Sequence, residues 1–125
     1  MSGRKGNRES GEHDYDSLND TFYTYINGRK YNSSLILGDI ILDLNEDNEL
    51  VGFEILDASK RFGISKHELL TPIELVYDIS ISNGKLIVSL KLTVMKRNHP
   101  LARSISVTGA NDMNLSPSSS TFALA

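Results

Sequence analysis

Four oxygen-bearing side chains set the first question about chemistry. In the stretch DIILDLNEDNELVGFE, residues 39–54, Asp43, Asn45, Asp47 and Glu54 stand at the first, third, fifth and twelfth places of an EF-hand calcium loop, with apolar Leu50 at the eighth. The flanks contradict the motif. Upstream, SSLILGD has no helical period, and Asn48 stands where the loop requires its turn glycine. Taken as a hairpin around Asp47-Asn48, the same stretch sets Leu44 opposite Val51, Leu42 opposite Phe53 and Ile40 opposite Ile55, apolar against apolar. Glu54 then lies up the strand, on the order of 20 Å from Asp47 at about 3.3 Å per residue. An acidic hairpin tip is expected, with no calcium. Glu46 and Glu49 would face each other as like charges, which favours a looser, four-residue turn.

Other chemistry is sparse. No glycine-rich phosphate loop, nucleophile elbow, paired-histidine helix or zinc spacing occurs. The three histidines, His13, His67 and His99, have no acid or thiol at working distance in sequence, and there is no cysteine. No catalytic residue, metal site or cofactor is expected, and the chain is read as a non-enzyme. Asp16 and Asp20 are residue types that start turns by bonding their own backbone. Glu54 is harder to place, because it is charged in mid-strand between Phe53 and Ile55 on the opposite face. It is read as solvent face or as part of a recognition surface. Tyr23 and Tyr25, with Tyr31, are candidate interface anchors beside it.

The elements that would carry these residues follow from periodicity. In IELVYDISISNGKLIVSLKLTV, apolar residues take every odd position from Ile73 to Ile81 and every even position from Leu86 to Val94. Asn83-Gly84 between them supplies the positive φ that a type I′ turn needs. The pairing sets Ile81 against Leu86, Ile79 against Val88, Tyr77 against Leu90, Leu75 against Leu92 and Ile73 against Val94. FYTYINGRKYNSSLIL predicts a further hairpin around Asn27-Gly28, from Phe22–Ile26 to a strand over 30–37. DASKRFGISKHELLTP is the helical segment, with Ser65 and Glu68 as a capping box and Pro72 as its stop. SISVTG predicts a short last strand. The fold class expected is α+β: a mainly antiparallel sheet built from hairpins with one short helical segment.

Length, 125 residues, allows one domain. Residues 1–13 are small and polar and are read as a disordered tail, residues 14–109 as the folded domain, and the serine-rich residues 110–125 as a low-complexity tail. Without an apolar run long enough for a membrane helix or a leader, the expected location is cytoplasmic. Charge is polarised along the chain. Residues 14–57 hold ten carboxylates against Arg29 and Lys30, a balance of −8, whereas residues 58–103 hold eight basic residues against Glu68, Glu74 and Asp78, a balance of +5.

Two segments together resemble a known family. YDSLNDTFYTYI, with Tyr15, Asp16, Asp20 and Tyr23, and DIILDLNEDNELVGFEILDASKR, with Gly52, Glu54, Ile55, Ala58 and Ser59, resemble the small prokaryotic family called domain of unknown function 2283, over residues 15 to about 62. The resemblance implies a compact, strand-rich cytoplasmic module with no established activity. Some members look as though they are encoded beside toxin-like proteins, which implies an antitoxin-like role. The expected function is therefore a protein-interaction module that self-associates or binds a co-encoded partner. The alternative is nucleic-acid binding through Lys91, Lys96, Arg97 and Arg103, with Arg4, Lys5 and Arg8 in support; the ten clustered carboxylates argue against it by repelling phosphates.

Overall fold

The computed structural model describes residues 8–124. Nine strands follow in chain order: β1 (Arg8–Asp16), β2 (Thr21–Ile26), β3 (Ser33–Leu37), β4 (Ile40–Leu44), β5 (Leu50–Ile55), β6 (Pro72–Ser82), β7 (Lys85–Lys96), β8 (His99–Ala110) and β9 (Ser118–Ala123). Between β5 and β6 lie a short helix, α1 (Ala58–Phe62), and the 3-10 turn Glu68–Leu70. Among the described residues the strands form one sheet in the order β3-β4-β5-β2-β1-β9-β6-β7-β8. Every pairing is antiparallel except β1 with β9, where Arg8–Ser10 run parallel to Thr121–Ala123 and join the two halves of the sheet.

The sheet curls around one core. Phe22, Ile40, Leu42, Phe53 and Ile55 from the first half bury their side chains with Leu75, Leu86, Leu90, Leu92 and Phe122 from the second. Phe53 meets Tyr77 edge-on at 5.3 Å and Phe122 at 6.4 Å, so the inner rows of the two halves touch. The edge strands β3 and β8 also approach. A Cβ on Gly109 would fall 2.4 Å from Leu37 Cδ2, so a larger residue there would make the Leu37 side chain shift.

The Asn83-Gly84 hairpin forms as its apolar rows predict, with both turn residues at positive φ and Ile79 opposite Val88. Its far end differs: Val94 faces Pro72 rather than Ile73, because the register shifts between Pro72 and Glu74. Proline has no N–H for the ladder and is at home at such an irregular strand start. In the β4–β5 hairpin, Ile40 pairs with Ile55 and Leu42 with Phe53 as expected, but Leu44 faces Leu50 rather than Val51. The turn has three residues, not two or four. Asn45 N–H donates to Glu49 O at 2.9 Å, and the Asn45 side-chain oxygen accepts from the amides of Asp47 and Glu49, with Asn48 at φ 59°. That is the loop class in which a type I turn is closed by a left-handed residue, and the register shift at Asp43/Leu44 absorbs the odd residue.

The hairpin expected around Asn27-Gly28 does not exist. β2 pairs with β1 and β5, and β3 pairs with β4 across the Gly38-Asp39 turn. Strands also occupy part of both stretches read as tails, β1 from Arg8 and β9 from Ser118; the rest of the expected N-terminal tail, residues 1–7, lies outside the described residues. The last predicted strand is longer than SISVTG, running from His99 to Ala110 in unbroken register with β7. The helical segment divides in two. α1 buries Ala58 and Phe62, one turn apart, and ends at Gly63, whose φ of 69° suits a left-handed cap. The capping box forms as predicted: Ser65 N–H donates to Glu68 Oε1 at 2.9 Å and Glu68 N–H to Ser65 Oγ at 3.0 Å.

Candidate functional site

Side chains alternate across a strand, so with Phe22, Phe53 and Leu42 pointing into the core, Tyr23, Tyr25, Glu54 and Asp43 point outward. The register brings them together. Tyr23 lies directly opposite Glu54, Tyr25 opposite Gly52, Asp43 also opposite Gly52, and Ser34 opposite Asp43. The three residues chosen from the sequence as partner-binding, Glu54, Tyr23 and Tyr25, thus form one patch. The rings of Tyr23 and Tyr25 stack at 6.2 Å with 12° between their planes. Tyr25, Tyr31 and Ile36 are exposed, at 39%, 61% and 68%, which makes the patch unusually apolar for an outer sheet face.

At its centre is a pair of carboxyl groups. Asp43, only 3% exposed, accepts from Ser34 Oγ at 2.8 Å, and that hydroxyl shares a second 2.8 Å hydrogen bond with Tyr31 OH. Burial, then a hydrogen bond to Asp43 and the charge of Asp43, push the Glu54 carboxyl up to about 7, and its protonated form can donate to Asp43. Burial, then the negative charge of Glu54, also raises the Tyr25 phenol. Gly52 makes room for this arrangement. A Cβ there would stand 2.0 Å from the backbone oxygen of Thr24, so the position between Asp43 and Tyr25 admits no side chain. Sequence reasoning missed Asp43, Ser34 and Gly52. The signal was available, since the β4–β5 register already set Asp43 against Gly52 and diagonal to Glu54.

Asp16 opens the β1–β2 turn with local hydrogen bonds, whereas Asp20 closes it. Asp16 accepts from the amides of Leu18 and Asn19 at 3.0 and 3.1 Å and from the Asn19 side chain at 2.8 Å. Asp20 instead reaches Ser59 at the start of α1. The histidines are scattered, with His13 stacked on Phe22 at 6.2 Å and His67 and His99 exposed. The basic set of the alternative reading does not share a face. Lys91 points outward from β7, whereas Arg103 stands opposite Leu92, which points inward, and Lys96 pairs with Glu68 at 3.7 Å beside Arg97 in the β7–β8 turn. Among the described residues no three His, Asp or Glu side chains are placed to hold a metal ion, and no helix is long and apolar enough to cross a membrane.

The family model described as "Protein of unknown function (DUF2283)" matches residues 13–59. A Methanosarcina mazei protein, provisionally named a hypoxanthine phosphoribosyltransferase, is 36% identical over 104 residues, covering 83% of this chain and 85% of its own. The chain belongs to the DUF2283 family. An uncharacterized protein of Methanocaldococcus jannaschii is 33% identical over 103 residues, 82% of this chain and 89% of its own. No solved structure matches. The matched segment of the DUF2283 model runs from β1 to the first turn of α1, so it contains both the tyrosine–carboxyl patch and the Asp20–Ser59 contact. The two archaeal relatives align over far more than that segment, so their likeness extends into the strands of the second half.

Proposed function

We propose that this protein is a non-catalytic binding module of the cytoplasm that uses its tyrosine–carboxyl face to hold a partner protein through a lysine or arginine side chain. The observation that carries the reading is the meeting of Asp43 and Glu54 on the outer sheet face beside the stacked rings of Tyr23 and Tyr25. A cation docked beside them meets the negative charge held between the two carboxyl groups together with aromatic faces, an environment that favours positive charge. Tyr25, Tyr31 and Ile36 supply the apolar contact area around that charge. The partner is a co-encoded protein, as an antitoxin-like role would require, or a second copy offering its own basic half, residues 58–103.

The provisional name of the Methanosarcina mazei relative suggests phosphoribosyl transfer as a rival. That reaction needs a cradle for pyrophosphate, commonly backbone amides at a glycine-rich loop opening a helix. Here α1 has five residues and follows Leu56-Asp57, with its glycine at the other end, so the binding reading fits these residues better.

Purification from the native cell at physiological salt, with mass measured in solution, tests the proposal. A co-purifying protein or a dimer is expected, lost with Glu54→Lys and weakened by Tyr25→Ala while the fold is kept. A clean monomer without partner defeats it. Nucleic acid released by salt with a steep logarithmic slope, and lost with Lys96→Ala plus Arg97→Ala, would establish the alternative.

A further inference from the structure

The end of the curled sheet away from α1 is not filled. The β4–β5 turn, the β2–β3 connection and the β8–β9 connection surround a cleft of about 480 Å³, within the range of small-ligand sites. Part of its lining is apolar, made by Leu44, Leu50 and Leu115, all buried, with Tyr77 and Ile79 from β6, among asparagine and serine side chains. Its rim carries both signs of charge. Arg29 supplies the positive group, and Asp47 and Glu49 of the hairpin tip supply the negative ones.

These groups are held in place. Arg29 Nη1 donates to Leu50 O at 2.6 Å, which fixes the guanidinium at the rim with other N–H groups left for a ligand. Glu49 accepts from the Asn45 side chain at 2.9 Å. Asn48 Nδ2 donates to Met113 O at 3.1 Å and ties the hairpin tip to the wall that faces it. Walls braced before a ligand arrives reduce the entropy lost on binding.

A lone anion drawn to Arg29 would meet two carboxylates, and a lone cation drawn to them would meet the guanidinium. A molecule bearing both charges on an apolar body answers both signs and the apolar lining. We propose that this cleft binds a short zwitterionic peptide of two or three apolar residues, its terminal carboxylate on Arg29 and its terminal ammonium at Asp47 and Glu49. The site is separate from the tyrosine–carboxyl face and does not depend on the function proposed for it.

The test is a titration of the full chain with the dipeptide Leu-Leu, read by calorimetry and by backbone amide shifts around Leu50, Tyr77 and Leu115. Saturable binding with Kd below about 1 mM is expected, weakened about tenfold or more by acetylating the amine or amidating the carboxylate. Arg29→Met should abolish the difference between the free and amidated peptides, while Asp47→Asn with Glu49→Gln should abolish that between the free and acetylated ones. Should Arg29→Met fail to fold, the blocked peptides on the native chain decide alone. No saturation by about 10 mM, or equal affinity for free and blocked peptides, overturns the proposal.

Discussion

The carboxylate of Asp20 accepts from Ser59 Oγ at 2.7 Å and from Ser59 N–H at 3.0 Å, across 39 positions of sequence. It does for α1 what the local cap cannot. Asp57, the residue preceding the helix, has φ 51° and makes no side-chain cap bond, so the orphan amide of the first turn is satisfied from the β1–β2 turn instead. Tyr15 OH donates at 2.5 Å to Asp20 Oδ1, the oxygen that also accepts from the Ser59 amide. Burial opposes charge on Asp20, but the hydrogen bonds from Tyr15 and Ser59 outweigh it and hold the carboxyl below its ordinary value. Four of the residues that carry the family resemblance, Tyr15, Asp20, Ala58 and Ser59, therefore share one structural task.

Asp20→Ala should cost about 2–3 kcal/mol, since it strands three donors and puts alanine at a φ of 55°. Asp20→Asn, which tolerates that backbone, should cost less. Because the folded carboxyl titrates below the unfolded one, its contribution is present above the unfolded value and lost as pH falls through the folded one. Urea unfolding of both variants at pH 3 and pH 7 checks the order and the pH trend; an alanine variant as stable as the parent at pH 7 would remove the clamp from consideration.

Glu54 runs the other way. Its folded value of about 7 lies above the unfolded value of 4.5, so the stability it adds is complete below pH 4.5 and declines as pH rises toward 7. After allowance for solvent screening the swing is about 1–2 kcal/mol. Glu54→Gln keeps a donor to Asp43 and loses the titration. The variant should be more stable than the parent at pH 8 and close to it at pH 5, measured by denaturant midpoint. A parent curve flat between pH 5 and pH 8 would mean that Glu54 and Asp43 do not interact.

Gly52→Ala tests the close approach of β2 and β5. The added methyl would collide with the backbone oxygen of Thr24, which cannot swing aside as a side chain could. Loss of about 3 kcal/mol or more is expected, or failure to fold. Thermal melts of the variant decide, and a shift within a few degrees would show that the strands can separate cheaply.

Pattern alone settled two hairpins, β4–β5 and β6–β7, apart from one end of each. Ile79 against Val88 was legible because both rows alternate and Asn83-Gly84 suits only one turn. The same dipeptide misled at Asn27-Gly28. There Gly28 has a positive φ but Asn27 does not, and β2 takes Glu54 and Phe53 of β5 as partners instead of β3. No local pattern distinguishes those choices, since either neighbour offers an alternating row. β1 was illegible for another cause: from Glu12 to Asp14 its side chains are exposed, and backbone pairing to β2 places it. In the site, Tyr23, Tyr25 and Glu54 were legible as outward strand residues, whereas the calcium motif drew attention from Asp43's true neighbour.

That motif yields the last prediction. Asp43 and Glu54, its first and twelfth places, do meet, but on the outer sheet face, where burial and then Asp43 hold the Glu54 carboxyl above its ordinary value. Its third place, Asn45, spends its side-chain oxygen on the amides of Asp47 and Glu49, and Asp47 sits in the turn beyond it. Converging the four on one ion would require breaking both the turn and the β4–β5 ladder, at a cost that sensor-class affinity does not recover. Calcium titration by calorimetry at pH 7.5 should therefore give no saturable heat tighter than about 10 µM. Binding tighter than that, accompanied by changes in the amide shifts of Asn45 and Asp47, would mean that the turn opens and that the EF-hand spacing has a function after all.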